Sequence, residues 1–271
     1  MRVARFTAGK DPAFGLVELE GDGGNHPDSI TVLTGDPMAG AVHYTGERHA
    51  LADVRLLAPV IPRSKVVAVG RNYAKHAAEM GAEVPATPLT FFKPNTAVIG
   101  PDTPVIWPSG AEEISYEGEL AVVIGRMCKE ITPEQAQDVI FGYTIANDLT
   151  ARDWQRNDGQ WSRAKGFDTS CPLGPWITAH YSIDEAQKLR IVTSVDGDVR
   201  QDGTTADMVR SISELVAHIS SFTTLLPSDV ILTGTPEGVG LVRPGQTMRV
   251  EIEGMGVLEN TLTTDTTKEQ A

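Results

Sequence analysis

The chain has 271 residues, enough for one large domain or a large and a small one, and its apolar and charged fractions are those of a globular protein. A formal net charge of −13 repels phosphate backbones and anionic headgroups, which argues against nucleic acid or a membrane surface as partner. Its two cysteines, Cys128 and Cys171, lie outside any C-x-x-C or Cys/His cluster, so a disulfide framework and a structural zinc site are not expected and both read as reduced thiols.

The first stretch, MRVARFTAGKDPAFG, has no apolar run of signal-peptide type, and no segment approaches membrane-spanning length, so the chain reads as cytoplasmic. Residues 1–60 read as a small β-rich unit. RVARF and FGLVELE are its short strands, GDGGNHPDS is a surface loop, and the passage between Pro59 and Pro62 is the boundary. Residues 61–265 form the larger unit. SKVVAVG is a strand ending at Gly70, and NYAKHAAEMG a short helix with Asn72 as N-cap and Gly81 as C-terminal stop. PLTFFKPNTAVIGPDTPVIWP is extended and broken by prolines. ITPEQAQDVI opens a helix with Thr132 and Gln135 as capping box and Pro133 at the first helical position. FGYTIAND is the next strand, and Asp196-Gly197 marks a two-residue hairpin. SISELVAHISSF is a helix capped by Ser211 and Glu214. DVILTGTPEGVG runs from a strand into a Gly-rich loop, MRVEIEGMGVLENTL is a final hairpin, and residues 266–271 are a frayed tail. Strands and helices do not alternate regularly, which predicts an α+β fold, not a doubly wound parallel sheet.

The chemistry gathers around EISYEGELAVVIG. Glu117 and Glu119, with Gly118 between them, share a strand face. The pair is either an exposed strand end or two carboxylates held by a cation, because like charges repel and burial sharpens the repulsion. Gly118 avoids crowding the neighbouring backbone. Asp148, at the end of FGYTIAND, adds a third acid. Three carboxylates without His or Cys form a hard oxygen set that suits Mg²⁺, Mn²⁺ or Ca²⁺ over Zn²⁺. His76 and Glu79 stand three residues apart on a helix, either as an exposed pair or as an imidazole oriented for general-base work. Lys165, in the loop AKGFDTSCP, and Lys93, in FFKPN, are functional cations or solvated lysines. LTGTPEGVG lacks the phosphate-loop spacing and reads as a turn, although its N–H groups could bind a carboxylate. No G-x-S-x-G elbow anchors a serine hydrolase.

Taken in order, VVAVGRNYAKHAAEMG, TFFKPNTAVIGP, YEGELAVVIG, ANDLTARDWQ, WSRAKGFDTSCPLGPW and ILTGTPEGVG resemble the fumarylacetoacetate hydrolase family over residues 61 to 265. The resemblance is to its short bacterial branch of acylpyruvases, fumarylpyruvate hydrolases, oxaloacetate decarboxylases and 2-hydroxyhepta-2,4-diene-1,7-dioate isomerases. It implies a β-rich roll with few helices, usually a homodimer, preceded by a small N-terminal domain. It implies a catalytic domain at 61–265 with metal ligands Glu117, Glu119 and Asp148 for Mg²⁺ or Mn²⁺, with Ca²⁺ as a substitute in crystals. It also implies a His76–Glu79 acid/base dyad on a helix that can act as a lid, and Lys165 as the active-site lysine. Arg71, Lys93, Gln155 and Thr235 match positions that line the substrate pocket. The implied activity is metal-dependent C–C hydrolysis of acylpyruvate-type 2,4-dioxo acids. The alternatives are β-keto acid decarboxylation or dienedioate isomerisation on the same scaffold, and a catalytically silent protein that binds metal or a sugar acid.

Overall fold

A computed structural model describes residues 1–9, 11–22 and 27–264. The expected frayed tail at 266–271 lies outside the described residues. The molecule is strand-rich α+β. Its main sheet runs, edge to edge, through Tyr44–Ala50, Ser29–Leu33, Ala13–Glu18, Arg2–Thr7, Cys171–Thr178, Ile140–Asn147, Gly118–Ile124, Val230–Leu232, Val66–Gly70 and Leu89–Lys93. The first four of these come from the N-terminal sixty residues. Arg2–Thr7 pairs with Cys171–Thr178, so the sheet continues across the Pro59–Pro62 passage.

The strand Gly118–Ile124 is buried at every position, which explains the run LAVVI. Leu120, Val122 and Ile124 enter one apolar cluster, with the helix Ile212–Phe222. Ala121 and Val123 point to the opposite face and a second cluster. A strand covered on both faces holds its ends rigidly, and the acids sit at one such end. A five-stranded sheet, in the order Asp198–Thr204, Arg190–Val195, Thr247–Ile252, Gly256–Thr263 and Val105–Ile106, packs beside it. A third sheet contains Thr150–Ala151, Ile114–Tyr116 and Gly240–Val242.

Local signals are realised where their partners are local. Both capping boxes form, at Thr132–Gln135 and Ser211–Glu214. Asp196-Gly197 turns the chain between Arg190–Val195 and Asp198–Thr204. Gly81, at φ 65°, follows the helix Ala74–Glu79. The helix starts later than its sequence suggests, because Tyr73, not Asn72, is the N-cap residue. The Asn72 side chain instead accepts the Arg210 N–H at 2.8 Å and donates to the carbonyls of Thr233 and Arg210 at 2.8 and 3.1 Å. Three distant backbone partners satisfy its amide more fully than one local cap would. No helix among the described residues is long and apolar enough to cross a membrane.

Candidate active site

Two antiparallel strands aim the acids at one point. Gly118–Ile124 pairs with Ile140–Asn147 in a register that sets Gly118 against Asn147 and Glu119 against Ala146. Asp148, the next residue, therefore falls beside Glu117, and its N–H donates to the Glu117 carbonyl at 2.8 Å. One carboxylate oxygen from each of Glu117, Glu119 and Asp148 lies within 4.8 Å of the others, and all three residues are buried. Of the two readings of the glutamate pair, the exposed strand end is the one the structure removes. Gly118 is crowded, but by side chains and not by backbone: a Cβ there would collide with the Thr193 hydroxyl and reach Val250 Cγ1 at 3.0 Å.

Three cations surround the acids. Lys165 Nζ donates to Glu117 Oε2 at 2.6 Å and to Asp148 Oδ2 at 2.8 Å. It comes from the helix Ser162–Gly166, where the sequence suggested a loop. Lys93 Nζ donates to Asp148 Oδ1 at 2.6 Å and to the Lys165 carbonyl. Arg152 Nη2 donates to Glu117 Oε1 at 2.6 Å. Glu119 Oε2 instead accepts the Gly234 N–H at 2.7 Å. Three formal positive charges thus face three negative ones.

The balance is uneven from acid to acid. Burial pushes the Glu117 carboxyl up, but Lys165, Arg152 and His76 outweigh it and bring it down to about 2. Burial, with Asp148 and Glu117 behind it, drives Glu119 well above the usual carboxylate range, against Lys165 and the Gly234 N–H. Burial lowers the Lys165 ammonium, and Asp148 and Glu117 more than reverse this. One acid of the three therefore favours a proton. A divalent cation among these oxygens would take that proton's place, and an all-carboxylate donor set fits Mg²⁺ or Mn²⁺.

His76 lies buried on the helix Ala74–Glu79, its Nδ1 3.4 Å from Glu79 Oε2. The Gly238 N–H donates to both Glu79 oxygens, at 3.1 and 3.2 Å. The LTGTPEGVG loop binds two carboxylates through its N–H groups, both of them the chain's own, Glu119 and Glu79. A cavity of about 200 Å³ opens over the three acids, His76 and Lys165. Arg71, Gln155 and Thr235 line it, as do Phe91 and Trp161. Arg71, at φ 59°, holds its guanidinium 5.9 Å from the Trp161 ring centroid. Gln155 Oε1 accepts from Arg152 at 2.9 Å. The Thr235 hydroxyl donates to the Gly118 carbonyl and accepts from Gln201, both at 2.8 Å, so it holds backbone. Lys93, the fourth residue expected to line the pocket, has its Nζ on Asp148 and lies outside the cavity lining. Arg152 and Trp161 escaped sequence reasoning. Arg152 had a signal in its place four residues after Asp148, in ANDLTARDWQ.

Residues 65–263 match the fumarylacetoacetate (FAA) hydrolase C-terminal family, and residues 1–59 match the Rv2993c-like N-terminal family. Protein Rv2993c of Mycobacterium tuberculosis is 48% identical over 260 residues, covering 96% of this chain and 97% of that protein. A crystal structure of 5-carboxymethyl-2-hydroxymuconate delta-isomerase from Mycobacterium smegmatis superposes with a TM-score of 0.88 at 46% identity, covering 98% of this chain and 100% of that one. The fumarylpyruvate hydrolase of Pseudomonas aeruginosa, in complex with Mn²⁺ and pyruvate, superposes with a TM-score of 0.70 at 37% identity, covering 74% of this chain and 90% of that one.

Proposed function

The chain belongs to the fumarylacetoacetate hydrolase family, and from that premise we propose that it is a divalent-metal-dependent hydrolase of 2,4-dioxo acids of the acylpyruvate type. The observation that carries this reading is the buried triad of Glu117, Glu119 and Asp148, braced by Lys165 on the floor of the cavity that also receives His76. A fumarylpyruvate hydrolase that holds Mn²⁺ and pyruvate supports it from outside.

Glu117, Glu119 and Asp148 would hold Mg²⁺ or Mn²⁺, whose contribution is Lewis-acid polarisation of the 2-oxo acid end. Once the ion has displaced the proton from Glu119, three cationic side chains balance the three acids, and a divalent ion leaves two positive charges in excess. A substrate end that carries one carboxylate and develops a second negative charge matches that excess. His76, oriented by Glu79, takes a proton from water, and the water oxygen bonds to the distal carbonyl carbon. The carbon–carbon bond then breaks, and its electron pair leaves with the three-carbon fragment. Lys165 supplies positive charge beside that fragment, and the proton held at His76 returns to its carbon. The products are pyruvate and a carboxylic acid. Arg71 and Gln155, which also line the cavity, would contact the acyl chain. Water loses its place if His76 only moves a proton between substrate carbons, which would make the protein an isomerase. The higher identity to the delta-isomerase, over nearly the whole chain, favours that second reading.

A panel of acylpyruvates, fumarylpyruvate, oxaloacetate and a 2-hydroxy-dienedioate, assayed with Mg²⁺ and Mn²⁺ and after chelation, separates the readings. Pyruvate release from a 2,4-dioxo acid, lost on chelation and restored by metal, is the expected result. Double-bond migration without cleavage would transfer the assignment to isomerase. Metal binding with no turnover on any member would leave a binding protein.

A further inference from the structure

The strand Asp198–Thr204 forms an edge of the five-stranded sheet and is exposed or half-exposed at every position but one. That one is Gln201, at 0% exposure. A buried amide is unfavourable unless its polar atoms are matched. Here the partners all belong to the candidate site. Gln201 Oε1 accepts the Gly118 N–H at 3.0 Å, and Nε2 donates to Thr235 Oγ1 at 2.8 Å and to the Pro236 carbonyl at 2.9 Å. The Thr235 hydroxyl in turn donates to the Gly118 carbonyl at 2.8 Å. Gln201 thus holds both polar backbone groups of the residue between Glu117 and Glu119, one directly and one through a hydroxyl. Its cross-strand neighbour Thr193 presses on the same glycine. On its other side Gln201 holds the loop whose Gly234 N–H binds Glu119 and whose Gly238 N–H binds Glu79. Gly238 packs against the Arg200 carbonyl with no room for a Cβ, which fixes loop to strand.

We propose that Gln201 is a positioning residue that sets the Glu117 and Glu119 carboxylates for a divalent cation and ties them to the His76–Glu79 pair. This rests on the metal-site reading above. Gln201 lies outside the cavity lining and acts through Gly118 and the 234–238 loop.

The test is Mn²⁺ binding to the full chain, followed by electron paramagnetic resonance, in wild type, Gln201→Met and Gln187→Met. Methionine keeps the length of the side chain and removes the amide. Gln187 is the control, since its amide holds the backbone of Thr205 and Ile212. Gln201→Met should weaken Mn²⁺ binding by about tenfold or more, the effect of losing a group that orients ligands. It should also lower kcat at saturating Mn²⁺, while Gln187→Met leaves Mn²⁺ affinity unchanged whatever its Tm. Wild-type affinity in Gln201→Met, with Mn²⁺ bound by wild type, overturns the inference and leaves the metal reading standing. Equal losses in both variants assign the effect to general stability and overturn it too. A wild type that binds no Mn²⁺ overturns both ideas. If Gln201→Met does not fold, Thr235→Val cuts the same link at the hydroxyl, and undiminished Mn²⁺ affinity there overturns the inference.

Discussion

Replacing Lys165 with Met removes the ammonium that bridges two of the three acids while keeping most of the side chain's volume. Lys165 and its partners are at most 6% exposed, so solvent screens these contacts weakly. The ammonium makes two charge-assisted hydrogen bonds, at 2.6 and 2.8 Å. Each such bond contributes about 1.5–3 kcal/mol, and removing one partner of a buried ion pair costs about 3–5 kcal/mol. Lys93 and Arg152 still hold Asp148 and Glu117, so the lower half of the summed range applies, and the chelated variant should lose about 3–4.5 kcal/mol. The variant then has two cations against three acids and should bind Mg²⁺ more tightly than wild type does. Free Mg²⁺ at 100 times Kd stabilises a binder by about 2.7 kcal/mol, so at equal Mg²⁺ the variant gains more than wild type. Urea unfolding of both proteins, with chelator and with Mg²⁺, measures each quantity. A loss under about 1 kcal/mol in chelator, or an equal or smaller gain from Mg²⁺, would refute the charge-balance reasoning, since it predicts the buried-pair cost and an extra unpaired acid. Turnover should be lost in either case.

Other perturbations read different parts of the site. Gly118→Ala drives a methyl into the Thr193 hydroxyl and should cost about 1–3 kcal/mol and weaken Mn²⁺ binding. Thr193 Oγ1 is buried without a hydrogen-bond partner, so Thr193→Ala should be mild alone and rescue part of the Gly118→Ala loss; additive losses in urea unfolding would contradict this. Glu119 has a raised carboxyl, so between its unfolded and folded pKa the native state holds a proton that the unfolded state has released. Metal-free stability should therefore fall as pH rises through that range, by a slope absent from Glu119→Gln, and Mn²⁺ affinity should rise with pH. An increase of metal-free stability over the same range, relative to Glu119→Gln, would reverse the sign and sink the argument. His76→Ala should abolish C–C hydrolysis and spare decarboxylation, which needs no activated water; unchanged hydrolysis would remove His76 as base.

What could be read from the chain alone was set by how far each residue's partners lie. The capping boxes at Thr132 and Ser211 span three residues, and both form as read. The Asp196-Gly197 hairpin is equally local. Asn72 has the local pattern of a cap, but its partners are 138 and 161 residues away. FFKPN alone leaves Lys93 either a functional cation or a solvated lysine, and its burial against Asp148, 55 residues on, removes the solvated reading. Gln201 carries no local signal at all, since Gly118 and Thr235 are 83 and 34 residues distant. Strand parity and a strand end make the three acids candidates, while their reading as one ligand set comes from the family resemblance. The pairing of Gly118 with Asn147 that joins them is a long-range fact. The N-terminal unit was legible as β-rich, whereas its merger into the main sheet depends on the pairing of Arg2 with Thr178.

The most direct measurement is a titration of the chelated, dialysed protein with Mn²⁺, counting free ion by electron paramagnetic resonance in wild type and in Asp148→Asn. Wild type should show one saturable site per chain, and Asp148→Asn a loss of affinity of at least about tenfold, because one of three buried carboxylates becomes a neutral amide. No saturable site in wild type, or undiminished affinity in Asp148→Asn, would contradict the metal-site reading.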